Sequence, residues 1–172
     1  MEQVNLPLTT FILDSFWVRF ASESRAIEGL TYTPDAAEYL KAFVEGPLSL
    51  TAICDYVWSE ANQKIRSEPW MNVRVGAHVA PPGGERVVQE LQNIVVDAQI
   101  NSPFETHGRF LYLHPFMDGN GRAARAILAW QALRNPVWSA QIKDLPLLQA
   151  LYYMGLDHAD AQIERGTFLI SA

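Results

Sequence analysis

The sequence predicts an all-α helical bundle with one small β element, folded as a single domain over 1–172. Three observations predict it. Apolar residues recur at helical spacing in one segment after another, a single stretch alternates with period two, and Gly or Pro marks most junctions. A first helix is expected over 7–28, where Ile12, Phe16 and Phe20 fall at intervals of four with Leu13 and Trp17 alongside, and Gly29 supplies a C-terminal cap. Thr33-Pro34 opens a second, with Thr as N-cap and Pro at the first helical position; Ala37, Leu40 and Val44 line its buried face and Gly46-Pro47 ends it. A third is expected over 49–66 with Leu50, Ile53, Val57 and Ala61 inward. In 72–79, Val73, Val75, Ala77 and Val79 alternate with Asn72, Arg74, Gly76 and His78, which reads as extended chain, and Pro81-Pro82-Gly83-Gly84 breaks it. The next helix carries Val87, Val88, Leu91, Ile94, Val95 and Ala98 on one side. Ser102-Pro103-Phe104-Glu105 reads as a capping box. The helix it opens should bury Phe104, His107 or Gly108, and Leu111, and end near Leu113, because Pro115 disfavours helical geometry at His114. Further helices are expected over 121–134, stopped by Asn135-Pro136, and over 144–153 and 157–165.

Composition narrows the function classes. Apolar residues make up 49% and charged residues 19%, enough for a packed core and unlike a disordered chain. The net charge of -6 sets an acidic surface against phosphate backbones, which argues against nucleic acid as a general partner while leaving a local basic pocket open. Cys54 is the single cysteine, so no internal disulfide forms, as suits a reducing compartment. The N-terminal residues lack a basic region and an unbroken apolar run, and no stretch is apolar enough to span a bilayer. A cytoplasmic protein with no membrane partner is the expectation.

Chemistry concentrates in His114-Pro115-Phe116-Met117-Asp118-Gly119-Asn120-Gly121-Arg122-Ala123-Ala124-Arg125. Here one helix ends, a tight loop follows and another begins. Gly119 and Gly121 let the backbone approach a ligand closely. The first N–H groups of the new helix have no internal partner and favour an anion, phosphate above all. Arginine is disfavoured in a first turn by the helix dipole, so Arg122 and Arg125, three apart on one face, imply a bound anion and could clamp neighbouring phosphates. Asp118 among these cations suits a Mg²⁺ ion bridging carboxylate and phosphate. His114, with a reference pKa near ~6.5, is suited to take a proton from an incoming hydroxyl. Base, metal ligand and phosphate clamp together describe nucleotidyl or phosphoryl transfer.

This stretch resembles the signature of Fic-domain proteins, HPFx[D/E]GNGRxxR, at every defined position, and the likeness extends loosely over 12–165. The resemblance implies a Fic-type helical bundle with a small β-hairpin flap and a Pro-Pro turn. It implies an enzyme that moves AMP from ATP, with Mg²⁺, to a Tyr, Thr or Ser hydroxyl of a target protein, the chain itself among the candidates. By the same resemblance His114 is the general base and Asp118 the metal ligand. Gly119, Asn120 and Gly121 form the anion hole, with the Asn120 side chain near the α-phosphate. Arg122 contacts the β-phosphate, Arg125 the γ-phosphate, and Phe116 is the buried anchor of the loop within 114–125. Val73, Arg74, Val75, Gly76, Ala77, His78 and Val79, in the segment 72–80, match the flap that docks a target by strand addition; an ordinary edge strand is the plainer reading and runs it close.

Ser24-Arg25-Ala26-Ile27-Glu28-Gly29 resembles the family's inhibitory motif, [S/T]xxxE[G/N], which would make 1–29 an intramolecular brake. Glu28 falls in the last turn of its helix, where an anion costs roughly 0.3–1 kcal/mol and wants a cationic partner, for which the family offers Arg125. Ser24, one turn earlier, would orient Glu28. A solvated helix end is the plainer alternative. His78, His107 and His158 do not have metal-ligand spacing; His107 reads as a core histidine, His158-Ala159-Asp160 as a surface turn, and Cys54 as a small buried hydrophobe. Three other functions stay open: removal of AMP, or both directions; a non-catalytic nucleotide-binding regulator; and transfer of a different nucleotide or phosphate. A homodimer is left open.

Overall fold

A computed structural model describes residues 8–134, with side chains described from Phe16 onward. The helices expected over 144–153 and 157–165, the turn at His158 and Asp160, and the stop at Asn135-Pro136 lie outside the described residues. Within them the fold is all-α: six helices and one two-stranded antiparallel sheet. The elements run α1 (Leu8–Ala26), α2 (Pro34–Glu45), α3 (Leu50–Ala61), β1 (Arg74–Val75), β2 (His78–Val79), α4 (Glu85–Asp97), α5 (Pro103–Leu113) and α6 (Asn120–Arg134).

Helix α6 is the axis of the bundle. It packs against α5, α2, α3 and α1. Every residue from Asn120 to Ala132 except Gly121 is buried, the signature of a helix enclosed on all sides. Its alanines at 123, 124, 126, 129 and 132 let neighbouring helices approach closely, and Ile127, Leu128 and Trp130 fill the gaps between them. Around it, Leu40 and Val44 of α2, Ile53 and Val57 of α3, Leu91 of α4 and Phe110 and Leu111 of α5 complete the core, each such burial contributing roughly 1.5–3 kcal/mol. Arg134 fastens the far end by donating to the carbonyls of Val44 and Gly46 while stacking on Trp130 at 4.0 Å.

Several boundaries differ from those the sequence suggests. Helix α3 stops at Ala61, because Asn62 adopts a left-handed cap (φ 53°), and 63–66 leave the helix with Ile65 in a bridge to Phe116. Helix α1 stops at Ala26 and leaves Glu28 in the turn beyond it, closed by Gly29 at φ 71°. Only half of the capping box forms: Ser102 Oγ accepts from the Glu105 N–H at 3.2 Å, while the Glu105 carboxylate turns to Asn101. Phe104 faces solvent, and the inner face of α5 is Thr106, His107, Phe110 and Leu111. Cys54 is half-buried against the core.

The alternating stretch folds as a hairpin, with Arg74 opposite Val79 and Val75 opposite His78. Its turn lies at Gly76 (φ 59°) and Ala77, so the Pro81-Pro82 pair follows the hairpin and does not form its tip. The reversal exchanges the faces of the pattern: His78 and Ala80 turn inward and Val79 outward.

Candidate active site

The site lies where α5 ends and α6 begins. Helix α5 ends at Leu113, two residues before Pro115, and the intervening His114 adopts a left-handed backbone (φ 48°, ψ 61°), a conformation uncommon outside glycine and frequent at functional sites. Its N–H donates to the Phe110 carbonyl at 2.9 Å and its imidazole Nδ1 lies 3.1 Å from the Leu111 carbonyl. A carbonyl only accepts, so Nδ1 carries the proton and Nε2 holds the lone pair. Burial is the main cause that drives His114 down to about pKa 4, with His78 and Arg66 adding to it and the Leu111 hydrogen bond and Asp118 opposing. The imidazole is therefore neutral at pH 7, the form a base requires.

Burial likewise lowers His107 to about 3. The unfolded chain, with histidines near ~6.5, takes up protons first as pH falls. Stability is then complete above ~6.5 and declines as pH drops toward 4 and then 3. We expect the melting temperature to fall between about pH 6.5 and about pH 4.5, and to fall less in a His107→Gln variant.

Phe116 is fully buried and forms an isolated antiparallel bridge with Ile65. The Asn120 side chain closes the loop: Oδ1 accepts from the Phe116 N–H at 2.9 Å and Nδ2 donates to the Phe116 carbonyl at 2.8 Å. Its amide is thus committed to the loop's own backbone. Asn120→Ala would leave both buried Phe116 groups unpaired, an expected loss of about 1–3 kcal/mol, read as a lower melting temperature.

Both arginines of the motif are buried. The Glu28 carboxylate bridges them: Oε2 accepts from Arg122 Nε at 2.7 Å and Oε1 from Arg125 Nη2 at 2.6 Å. Ser24 serves Arg125 and not Glu28: its Oγ accepts from Arg125 Nε at 2.7 Å and its carbonyl from Nη2 at 2.8 Å. Arg122 also donates to the Glu60 carbonyl at 2.7 Å. Gly121 is required by the closeness of this packing, since a Cβ there would sit 2.6 Å from Glu28 Oε1. Burial works against the charge of Arg122, but Glu28, Asp118 and Glu60 outweigh it and raise its pKa.

Two further buried charges near the site belong to no motif. Glu60 on α3 is almost fully buried and pairs with Arg25 of α1 at 2.7 Å, with Arg122 at 3.5 Å. It sits one residue from inward Ala61, and only its place at the edge of the apolar face could have marked it. Arg66 is the second: fully buried, it donates to main-chain carbonyls on both sides of the site.

Asp118 stands at the mouth, largely exposed. Its Oδ1 accepts from the Gly119 N–H, while Oδ2 reaches Arg122 only at 3.4 Å. Among the described residues no group of three or more His, Cys, Asp or Glu could cage a metal. One open carboxylate beside Arg122 fits the donor chemistry of Mg²⁺, which takes one or two carboxylates and completes its shell from phosphates and water.

Residues 48–132 match the Fic/DOC family. The Fic/DOC match runs from the start of α3 to near the end of α6, and so includes the hairpin and the whole loop from His114 to Arg125. Ser24 and Glu28 lie before it. No curated protein matches the chain. Among the described residues no helix is long and apolar enough to cross a membrane.

Proposed function

We propose that the protein is a nucleotidyltransferase that moves AMP from ATP onto a protein hydroxyl and is held back by Glu28. The observation that carries this reading is the pair of buried arginines at the start of α6, whose charges a carboxylate from beyond α1 balances. Arg25, Arg122 and Arg125 face Glu28 and Glu60 in this cluster. Withdrawing Glu28 leaves three cations against one buried anion, and the charge that fits the gap is a polyphosphate.

In the proposed reaction, Arg122 and Arg125 take the β- and γ-phosphates, and the N–H groups at the start of α6 face the α-phosphate. Asp118 would hold Mg²⁺, which supplies charge neutralisation along the phosphates. His114 Nε2 accepts the proton of the acceptor hydroxyl as its oxygen bonds to the α-phosphorus. The bond from that phosphorus to the bridging oxygen breaks and pyrophosphate leaves. The exposed backbone of the hairpin, with Arg74 and Val79 outward, offers the target an edge for strand addition. Glu28 blocks the sequence by holding both arginines.

Incubation of Glu28→Gly protein with Mg²⁺ and ATP labelled at the α-phosphate should place label on protein, whereas γ-labelled ATP should not. Transfer of the γ-label instead would replace this reading with phosphoryl transfer. The partial exposure of Glu28 within the site favours one second reading, removal of AMP with Glu28 positioning a water. Release of AMP from a pre-modified target that depends on Glu28 would support it.

A further inference from the structure

We propose that Arg66 is a positioning residue that ties the hairpin to the histidine loop, so that target docking and the orientation of His114 are set by one side chain. The inference rests on the reading of His114 as the base and of the hairpin as the docking edge.

Arg66 is fully buried, and burial lowers its pKa. Taking a guanidinium out of water costs several kcal/mol unless its donors are met. Of the five N–H groups a guanidinium carries, four donate to main-chain carbonyls. Nε donates to His114 at 2.7 Å and Nη2 to Leu113 at 2.9 Å. Nη1 donates to Met71 at 2.7 Å and to Pro81 at 3.0 Å. The first pair lies at the C-terminal end of α5, where a cation also meets the negative end of the helix dipole. The second pair brackets the hairpin, one carbonyl before it and one after.

The backbone of Arg66 repeats the connection. Its N–H donates to the Pro115 carbonyl at 2.8 Å, and its own carbonyl accepts from Gly84 at 2.9 Å, at the start of α4. The neighbouring Ile65–Phe116 bridge extends the seam. From the hairpin side, His78 Nε2 lies 3.0 Å from the Tyr112 carbonyl. The left-handed backbone of His114, and with it the direction of Nε2, is thus held by a residue that also holds the chain on either side of the hairpin. Lysine could not replace it, since an ammonium carries three donors and no planar fork.

The test uses Arg66→Lys in the Glu28→Gly protein. We expect a folded variant whose ATP affinity by calorimetry stays within about twofold and whose transfer rate falls by about 10–100-fold, the scale of an ångström's misplacement of a reacting group. Hydrogen exchange should quicken together in 71–81 and 113–116. In nitrogen NMR the His114 ring should lose its single Nδ1–H tautomer. Gly83→Ala approaches the seam from the other side, because its Cβ would collide with the Glu68 carbonyl and sit 2.8 Å from the Met71 carbonyl that Arg66 holds, and the same pattern is expected. An unchanged transfer rate in both variants, or a rate loss matched by loss of ATP affinity, overturns the inference. If the Glu28→Gly protein with Arg66 intact transfers nothing, the proposed function fails; the inference is then judged by the His114 tautomer, and an unaltered ring signal in both variants overturns it.

Discussion

Alanine in place of His114 is expected to cut AMP transfer by about 10²–10⁴-fold while leaving ATP affinity within about twofold. The expectation follows from the division of labour in the site. His114 is tied to the carbonyls of Phe110 and Leu111, whereas Arg122 and Arg125, the proposed phosphate contacts, bond to Glu28, Glu60 and Ser24. On the proposed reading its loss would remove the proton acceptor and leave the arginine cluster standing. Measured in the Glu28→Gly protein, the rate and the calorimetric affinity should therefore separate. A fall of both together would mean that the histidine supports the pocket and takes no part in the proton transfer. The acid limb of the rate profile of the free enzyme should lie below the usual histidine range, because burial holds His114 near 4.

Glycine in place of Glu28 should raise ATP affinity and transfer by on the order of a hundredfold or more. Glu28 accepts a charge-assisted hydrogen bond from each of two buried arginines, at 2.7 and 2.6 Å. Such bonds contribute about 1.5–3 kcal/mol each, which ATP in the proposed pose would have to displace, and each 1.4 kcal/mol is about tenfold in affinity. The same substitution leaves Arg122 and Arg125 short of negative charge. Without nucleotide the variant should melt at a lower temperature than the parent, and added Mg-ATP should raise its melting temperature more than the parent's. Arg25→Ala, which removes the second link from α1 to Glu60, should shift activity in the same direction by a smaller factor.

The all-α class and the place of the loop were legible in the sequence because both rest on local rules. Helical spacing and Gly or Pro punctuation mark α2, α4 and α6 closely, and Pro115 marks the end of α5. What escaped was decided by tertiary partners. Arg66 follows a helix-like run and precedes Ser67-Glu68-Pro69, so it reads as an exposed helix end; four carbonyls from distant segments make it a core residue. Glu60 reads as solvent face until Arg25 and Arg122 meet it. Ser24, one turn before Glu28, reads as a residue that orients Glu28, but its bond goes to Arg125, a choice no spacing encodes. Phe104 was placed inward by periodicity alone, and Pro103 and Thr106 take the buried positions. Period two in 72–79 announced extended chain without showing that Gly76 folds it back on itself.

The most direct measurement is the intact mass of three proteins after incubation with Mg²⁺ and ATP: the parent chain, Glu28→Gly, and Glu28→Gly combined with His114→Ala. The expected result is an added AMP on Glu28→Gly protein or on a co-incubated acceptor, little on the parent, and none with the double variant. Equal modification of the parent and Glu28→Gly, or AMP addition that survives the loss of His114, would contradict a carboxylate-braked site worked by that imidazole.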